Sequence, residues 1–245
     1  SGNHTWTESG TYTDTLVGAS ANGCDSIVEI DLYILDVLFV DGDKSSNGDG
    51  QGWSTAYKSL DDAINVANAA GGPIQIWVKK GTYYPGGPSN TNRDSAFVVT
   101  NPLAVISGGF SGVETSPYQR DITNNPTIIC GDLGTKNNSA DNSYHLLIVM
   151  PDWDALDDEG GEEGDDGFYI FNGNFSGLIF RDANANGNTK VTYRGTDIYR
   201  NEGGAVVIRN LASDSDPFIF TSFSDCRFEN NFADYGASLF RSEEH

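Results

Sequence analysis

The sequence predicts an all-β fold interrupted by one short α-helix. Three observations carry this expectation. A capped amphipathic helix signal and an alternating strand signal stand directly joined between Gly52 and Pro85. Beyond Pro85 the chain reads as short apolar or alternating runs separated by turn-rich stretches. The composition agrees, because 29 Gly and 8 Pro beside 13 Phe and 11 Tyr suit many tight turns between short aromatic-bearing strands.

Taken in order, residues 1–35 alternate over Thr11–Leu16 and again over Ile27–Ile34, which predicts a small β-hairpin or sandwich fragment. Val37, Phe39 and Val40 then open the main body. No Pro- or Ser-rich linker intervenes, so a stiff junction between the two units is expected. Asp43–Gln51, DKSSNGDGQ, partly fits a calcium loop, with Asp43, Asn47 and Asp49 as oxygen donors. Ser54 stands where the bidentate Glu of such a loop belongs, so the fit is weak.

Ser59 is a good N-cap, with Asp62 three residues on to complete a capping box. Leu60, Ala63, Ile64, Ala67 and Ala70 recur at helical spacing, and Gly71, Gly72 and Pro73 stop the helix. Ile74, Ile76 and Val78 alternate with Gln75 and Trp77, a strand pattern. Gly81–Asp94 is a turn-rich loop, and Ala96–Val99 resumes a strand. Pro102 and the pair Gly108–Gly109 bracket a short run over Leu103–Ile106, buried on both sides or at a corner. Gln119, Arg120 and Asp121 invite either a catalytic reading, with Arg beside Asp as a base or an anion clamp, or a structural ion pair that holds the loop.

Asp152–Asp166, DWDALDDEGGEEGDD, carries nine carboxylates and no base, so it is expected to be a solvated projecting loop. Within it Asp157, Asp158 and Glu159 are calcium candidates, because calcium favours many carboxylate oxygens. Short strands resume from Gly167: FYIF, then FSGLIF to Phe180, AVVIRN from Ala205, and PFIFTSFSDCRFENNFA. Between them Asp182, Asn184 and Asn186 begin another calcium-like spacing. Lys190 and Tyr193 occupy its later ligand places, and a turn is simpler.

Composition also excludes classes of function. The net charge of −21 opposes a nucleic-acid partner, which would require clustered Lys and Arg. No apolar run is long enough to span a membrane, so no membrane insertion is expected in this segment. Cys24, Cys130 and Cys226 lie far apart in no metal-ligand spacing. The histidines are His4, His145 and His245, and the chain contains no G-x-S-x-G, H-E-x-x-H, P-loop or dinucleotide-binding fingerprint.

The stretch GDGQGWSTAYKSLDDA with IQIWVKKGTYYP resembles the opening of secreted bacterial right-handed parallel β-helix proteins of the pectin-lyase-like fold. AVISGGFSGVETSPYQRD (104–121), TIICGD (127–132) and NSYHLLIV (142–149) continue the resemblance in order and approximate spacing. It implies a parallel β-helix over 36–245 whose N-terminal mouth is capped by the short helix. Cys226, Phe228 and Asn231 would then be stacked rung residues. SGTYTDTL with GCDSI (9–27) is similar to the C-terminal half of a repeated module of very large bacterial surface proteins, in which a partner of Cys24 lies upstream. Within this chain Cys24 reads equally as a small buried hydrophobe.

The two resemblances imply a piece of a longer secreted or cell-surface polypeptide. Its expected role is non-enzymatic: a rigid rod or adhesive face for extracellular glycans or proteins, with an open last rung that invites a homo-oligomer. Calcium is the one cofactor considered. The alternative is a polysaccharide lyase or glycoside hydrolase. That would place Arg181, Asp182, Arg209, Asp225 and Arg227 as candidate acid, base and charge-neutralising groups on neighbouring strands.

Overall fold

The computed structural model describes residues 6, 10–18, 22–32, 35–70, 72–151, 172–209 and 220–242. The acidic stretch with its calcium candidates Asp157, Asp158 and Glu159 lies outside them, as does FYIF. The chain divides into two compact units, Ser1–Asp36 and Val37–His245. In the first, β1 (Gly10–Leu16) and β2 (Ser26–Leu32) form an antiparallel hairpin, registered from Gly10 opposite Leu32 to Leu16 opposite Ser26. Cys24 sits exposed at its turn, which removes the reading of a buried hydrophobe.

The second unit begins within β3 (Asp36–Val40), after its first residue, and continues to the helix α1 (Leu60–Ala69). Ser59 caps α1 by accepting the Asp62 N–H through Oγ at 3.2 Å. The reciprocal half of the expected capping box is replaced. Asn47 accepts the Ser59 N–H through Oδ1 and donates to the Asp62 carboxylate through Nδ2, so a loop residue stands between cap and third position. At the other end Asn101 donates to the carbonyls of Ala67, Ala70 and Gly72, satisfying acceptors that a helix end leaves open. Leu60, Ala63, Ile64 and Ala67 enter the main core, the face their spacing predicts.

After the helix follow β4 (Ile74–Lys79), β5 (Gly81–Tyr83), β6 (Phe97–Val99), β7 (Ala104–Phe110), β8 (Thr127–Cys130) and β9 (Leu147–Val149). Then come β10 (Asn172–Ser176), β11 (Leu178–Arg181), β12 (Asn184–Ala185), β13 (Lys190–Tyr193), β14 (Thr196–Tyr199) and β15 (Val206–Arg209). The last are β16 (Phe220–Ser224), β17 (Arg227–Glu229), β18 (Phe232–Ala233) and β19 (Leu239–Ser242).

Strand is therefore the main regular structure of the described chain, beside one α-helix. Three sheets hold most of it, in the orders β16-β10-β7-β4-β3, β17-β11-β8-β5 and β19-β15-β9-β6. From β4 onward every pairing in these sheets is parallel, as is β12 with β18. The parallel register brings like residues together. Phe175 stacks on Phe223 at 5.1 Å and Phe180 on Phe228 at 5.2 Å, in rows that run across the strands.

Alternation decides which side chains reach the core. Leu147 and Val149 of β9, and Val206 and Ile208 of β15, join the main cluster, while Ile148, Met150 and Val207 face the opposite way into a second cluster. Strand β7 runs on through Gly108 and Gly109 to Phe110, beyond the short run expected before them. A side chain at Gly108 would lie 2.6 Å from the Gly177 carbonyl oxygen, so glycine here permits close strand approach. Trp77 points away from the core yet is buried, packed with Phe39, Trp53 and Phe110.

Arg120 and Asp121 do not form the expected pair. Arg120 donates to Ser176 Oγ at 2.8 Å, whereas Asp121 accepts the N–H groups of Thr123 and Asn124. The local turn claims the carboxylate before the neighbouring guanidinium can. The loop before it is held by Glu114, which is buried and accepts from Ser111 N–H and Oγ–H, Gly112 N–H and Val113 N–H at 2.8–3.0 Å.

A hairpin absent from the sequence expectation, β13–β14, packs on the second cluster with Ile198 fully buried. Its two-residue turn, Arg194-Gly195, has φ of 46° and 85°, the left-handed pair that suits a tight hairpin.

Candidate functional site

The outward face of the sheet β17-β11-β8-β5 and the turn that follows β11 gather several of the residues singled out from sequence. Phe180 points into the core, so Ile179 and Arg181 point out. The parallel register sets Ile179 opposite Arg227 and Arg181 opposite Glu229. Arg181 Nε lies 3.2 Å from Asp182 Oδ2, and Arg227 Nε lies 3.3 Å from Glu229 Oε1. Cys130 Sγ reaches Asp182 Oδ2 at 3.7 Å; burial pushes its thiol pKa up, which leaves it a poor nucleophile. The result is an open row of alternating charge on adjacent strands.

Asp182 has φ of 63°, so the chain swings sharply at the end of β11 into a groove of about 430 Å³. Asn142, Asn184, Asn186 and Ser139 line it with polar groups, and Phe232 forms part of its wall. Asn184 is buried, as are its neighbours Ala183 and Ala185, whereas Phe232, opposite it in register, is 52% exposed.

The groove is held by hydrogen bonds from behind. Asn142 Nδ2 donates to the Asp182 carbonyl at 2.7 Å and Asn184 Nδ2 to the Ser139 carbonyl at 2.6 Å. Arg93 crosses beneath, stacked 3.9 Å from the Tyr144 ring centre. It donates to the carbonyls of Asn142 and Asn184 and to Asn186 Oδ1 at 2.6–2.9 Å. Arg93 went unnoticed in the sequence because it sits in a turn-rich loop; its partners are up to 93 residues away.

The remaining candidates lie apart. Arg209 belongs to the sheet β19-β15-β9-β6, where it is buried against Glu202 at 2.5 Å and lies 5.1 Å from the Phe240 ring. Asp225 occupies an exposed turn between β16 and β17 with φ of 53°. Of the five residues proposed for catalysis, the structure gathers Arg181, Asp182 and Arg227 on one sheet face and separates Arg209 and Asp225 from it. His145 is buried, donates Nδ1–H to the Gly203 carbonyl at 3.0 Å, and is pushed down to a pKa of about 4 by burial. It stays neutral through the physiological range.

The calcium candidates are drawn into local bonding. Asp43 accepts Lys79 Nζ at 3.1 Å, Asn47 Oδ1 takes the Lys58 and Ser59 N–H groups, and Asp49 takes the Gln51 N–H. Asn186 Oδ1 takes Arg93. Among the described residues no three His, Cys, Asp or Glu side chains converge as a metal site would require. No described helix is long and apolar enough to cross a membrane. No family model, curated protein or solved structure matches the chain.

Proposed function

We propose that Asp36–His245 winds as a right-handed parallel β-helix roofed by α1, within a large secreted or cell-surface bacterial protein. In that reading it is a rigid, non-enzymatic segment that presents an adhesive face to extracellular glycans. The winding is supported by chain order: β4, β5 and β6 fall in the three sheets in turn, and β7-β8-β9, β10-β11-β15 and β16-β17-β19 repeat that order.

The observation that carries the adhesive reading is the groove beside Asp182. Amide and carboxylate groups line it, and an outward aromatic ring stands at its side, the pairing that suits a sugar's hydroxyls and its apolar face. The test is binding of the full chain to immobilised glycans and to cell surfaces. Binding that Phe232→Ala weakens several-fold supports the reading, and no binding to any glycan or cell overturns it.

One observation favours a second reading, a polysaccharide lyase or glycoside hydrolase. Arg181, Arg227 and Glu229 stand on adjacent strands of one open face with Asp182 in the turn at its end, so two carboxylates and two guanidinium groups lie within reach of one chain. Release of unsaturated or reducing sugar ends by the purified chain, abolished by Asp182→Asn, would establish it.

A further inference from the structure

A second groove, also about 430 Å³, lies between the first turn of α1, the loop 86–96 and the hairpin strand β13. Its polar side is set by Asp61, Asp94 and Ser95, and its apolar side by Val191 and Tyr193. The two carboxylates are in opposite conditions. Asp94 is fully answered by Arg200, whose Nε and Nη2 donate to its two oxygens at 2.6 and 2.7 Å.

Asp61 accepts the Gly86 N–H at 3.1 Å on Oδ2 and its own backbone N–H, and no cationic side chain among the described residues pairs with it. Its helix neighbour Asp62 is a further negative charge, and Arg200 is already committed to Asp94. Burial pushes the Asp61 carboxyl up to a pKa of about 6, and Asp62 adds to the rise. The groove thus holds a half-buried carboxylate, ionised at neutral pH, beside an apolar wall.

We infer that this groove binds a primary alkylammonium group, whose charged head pairs with the Asp61 carboxylate while its methylene stem lies along Val191 and Tyr193. The aromatic face adds a cation–π contribution, and an aliphatic stem buries without leaving a polar atom unsatisfied. Anions and uronates are rejected by Asp61 and Asp62 together. The net charge of −21 also draws cations toward the surface by long-range steering. Two sources carry this chemistry, a lysine side chain of a basic partner protein and a free aliphatic diamine. The site shares no residue with the Asp182 groove and stands independently of the glycan reading.

The experiment titrates the full chain by NMR and calorimetry with n-butylammonium, Nα-acetyl-lysine N-methylamide and 1,4-diaminobutane, with n-butanol as the neutral isostere. The ammonium probes are expected to bind at pH 7.5 and n-butanol at least tenfold more weakly. Tighter binding of the lysine amide assigns a protein side chain, and tighter binding of the diamine a free amine. Asp61→Asn, which retains an acceptor for the Gly86 N–H, is expected to weaken the ammonium probes at least tenfold.

Protonation of Asp61 should weaken them about tenfold between pH 7 and 5. Tyr193 on the apolar side of the groove is pushed up to about 12 by burial and the nearby Asp94, outside that range. Ser95→Lys places an ammonium of the chain's own at the groove and should block the probes, which keeps the test decisive if Asp61→Asn fails to fold. Equal binding of n-butanol, no binding of any ammonium, or unchanged binding by Asp61→Asn or Ser95→Lys overturns the inference.

Discussion

On the sheet β19-β15-β9-β6 the outward positions of β9 and β15 hold Ile148 and Val207, and the hairpin β13–β14 packs on them with Ile198 fully buried. On the sheet β17-β11-β8-β5 the outward positions of β11 and β17 hold the buried Ile179 together with Arg181, Arg227 and Glu229, whose side chains are 38%, 64% and 41% exposed. Both sheets send aromatic or aliphatic side chains to the same core. They differ in the balance of the alternate residues, apolar on the first and mainly charged on the second. Where those are apolar, the chain supplies a cover, because exposed aliphatic surface costs roughly 25 cal/mol per Å². Where they are charged, water suffices and the face stays accessible to a ligand. Ionisable side chains alone therefore do not mark a site: Arg209, outward on the covered sheet, is buried and paired, and serves the fold.

The comparison can be broken or sharpened by substitution, and the interior that both sheets share sets the upper scale. Phe180→Ala removes a fully buried ring stacked on Phe228 and is expected to cost about 3–5 kcal/mol, read by denaturant unfolding. On the covered sheet, Ile198→Ala should cost about 2–4 kcal/mol. Hydrogen exchange should show early loss of protection in residues 190–199 if the hairpin is the cover described here.

Arg93→Ala, which removes the clasp beneath the Asp182 groove, should cost about 2–3 kcal/mol in thermal unfolding. It should also weaken any ligand of that groove. On the open sheet, Arg227→Ala should change stability by less than about 0.5 kcal/mol, since its pair with Glu229 is exposed. A larger loss would show that the open face is structural.

The aromatic outer cluster offers a pH test of a third kind of cover. The loop over it is held by Glu114, where burial pushes the carboxyl up but the hydrogen bonds from Ser111 and Val113 outweigh it, leaving a pKa of about 2. The folded state thus holds this proton more weakly than the unfolded chain. Its stabilising effect is complete above the ordinary Glu value of 4.5 and is lost as pH falls toward 2. Glu114→Gln should flatten the acid limb of the stability curve between those values, measured by thermal melts from pH 7 to 2.

Much of the fold was legible in the residues. The cap at Ser59, the buried stripe Leu60–Ala67 and the inward row Ile74, Ile76 and Val78 each follow from a local period, and each occurs as read. The hairpin β13–β14 also carried a readable signal, alternation on both sides of Arg194-Gly195. The calcium-like spacing just before it drew the reading toward a turn. The candidate site was less legible. Asp182, Asn184 and Asn186 were noticed for a metal-like spacing that the structure instead commits to Arg181, Ser139 and Arg93.

By itself the sequence determined what local periodicity and capping chemistry can encode: an all-β chain, a single helix, its buried face and the places where strands turn. These depend on residues a few positions apart, whose relative geometry the backbone already fixes. Only the tertiary structure decided that Arg181 and Glu229 would stand side by side, that Arg93 would brace a groove lined by Ser139, Asn142, Asn184, Asn186 and Phe232, and that Asp61 and Tyr193 would line one groove. Those contacts join segments tens of residues apart. The parallel register between strands creates the first and the packing of the loop 86–96 the others, and no local pattern in the chain records which residues they will align.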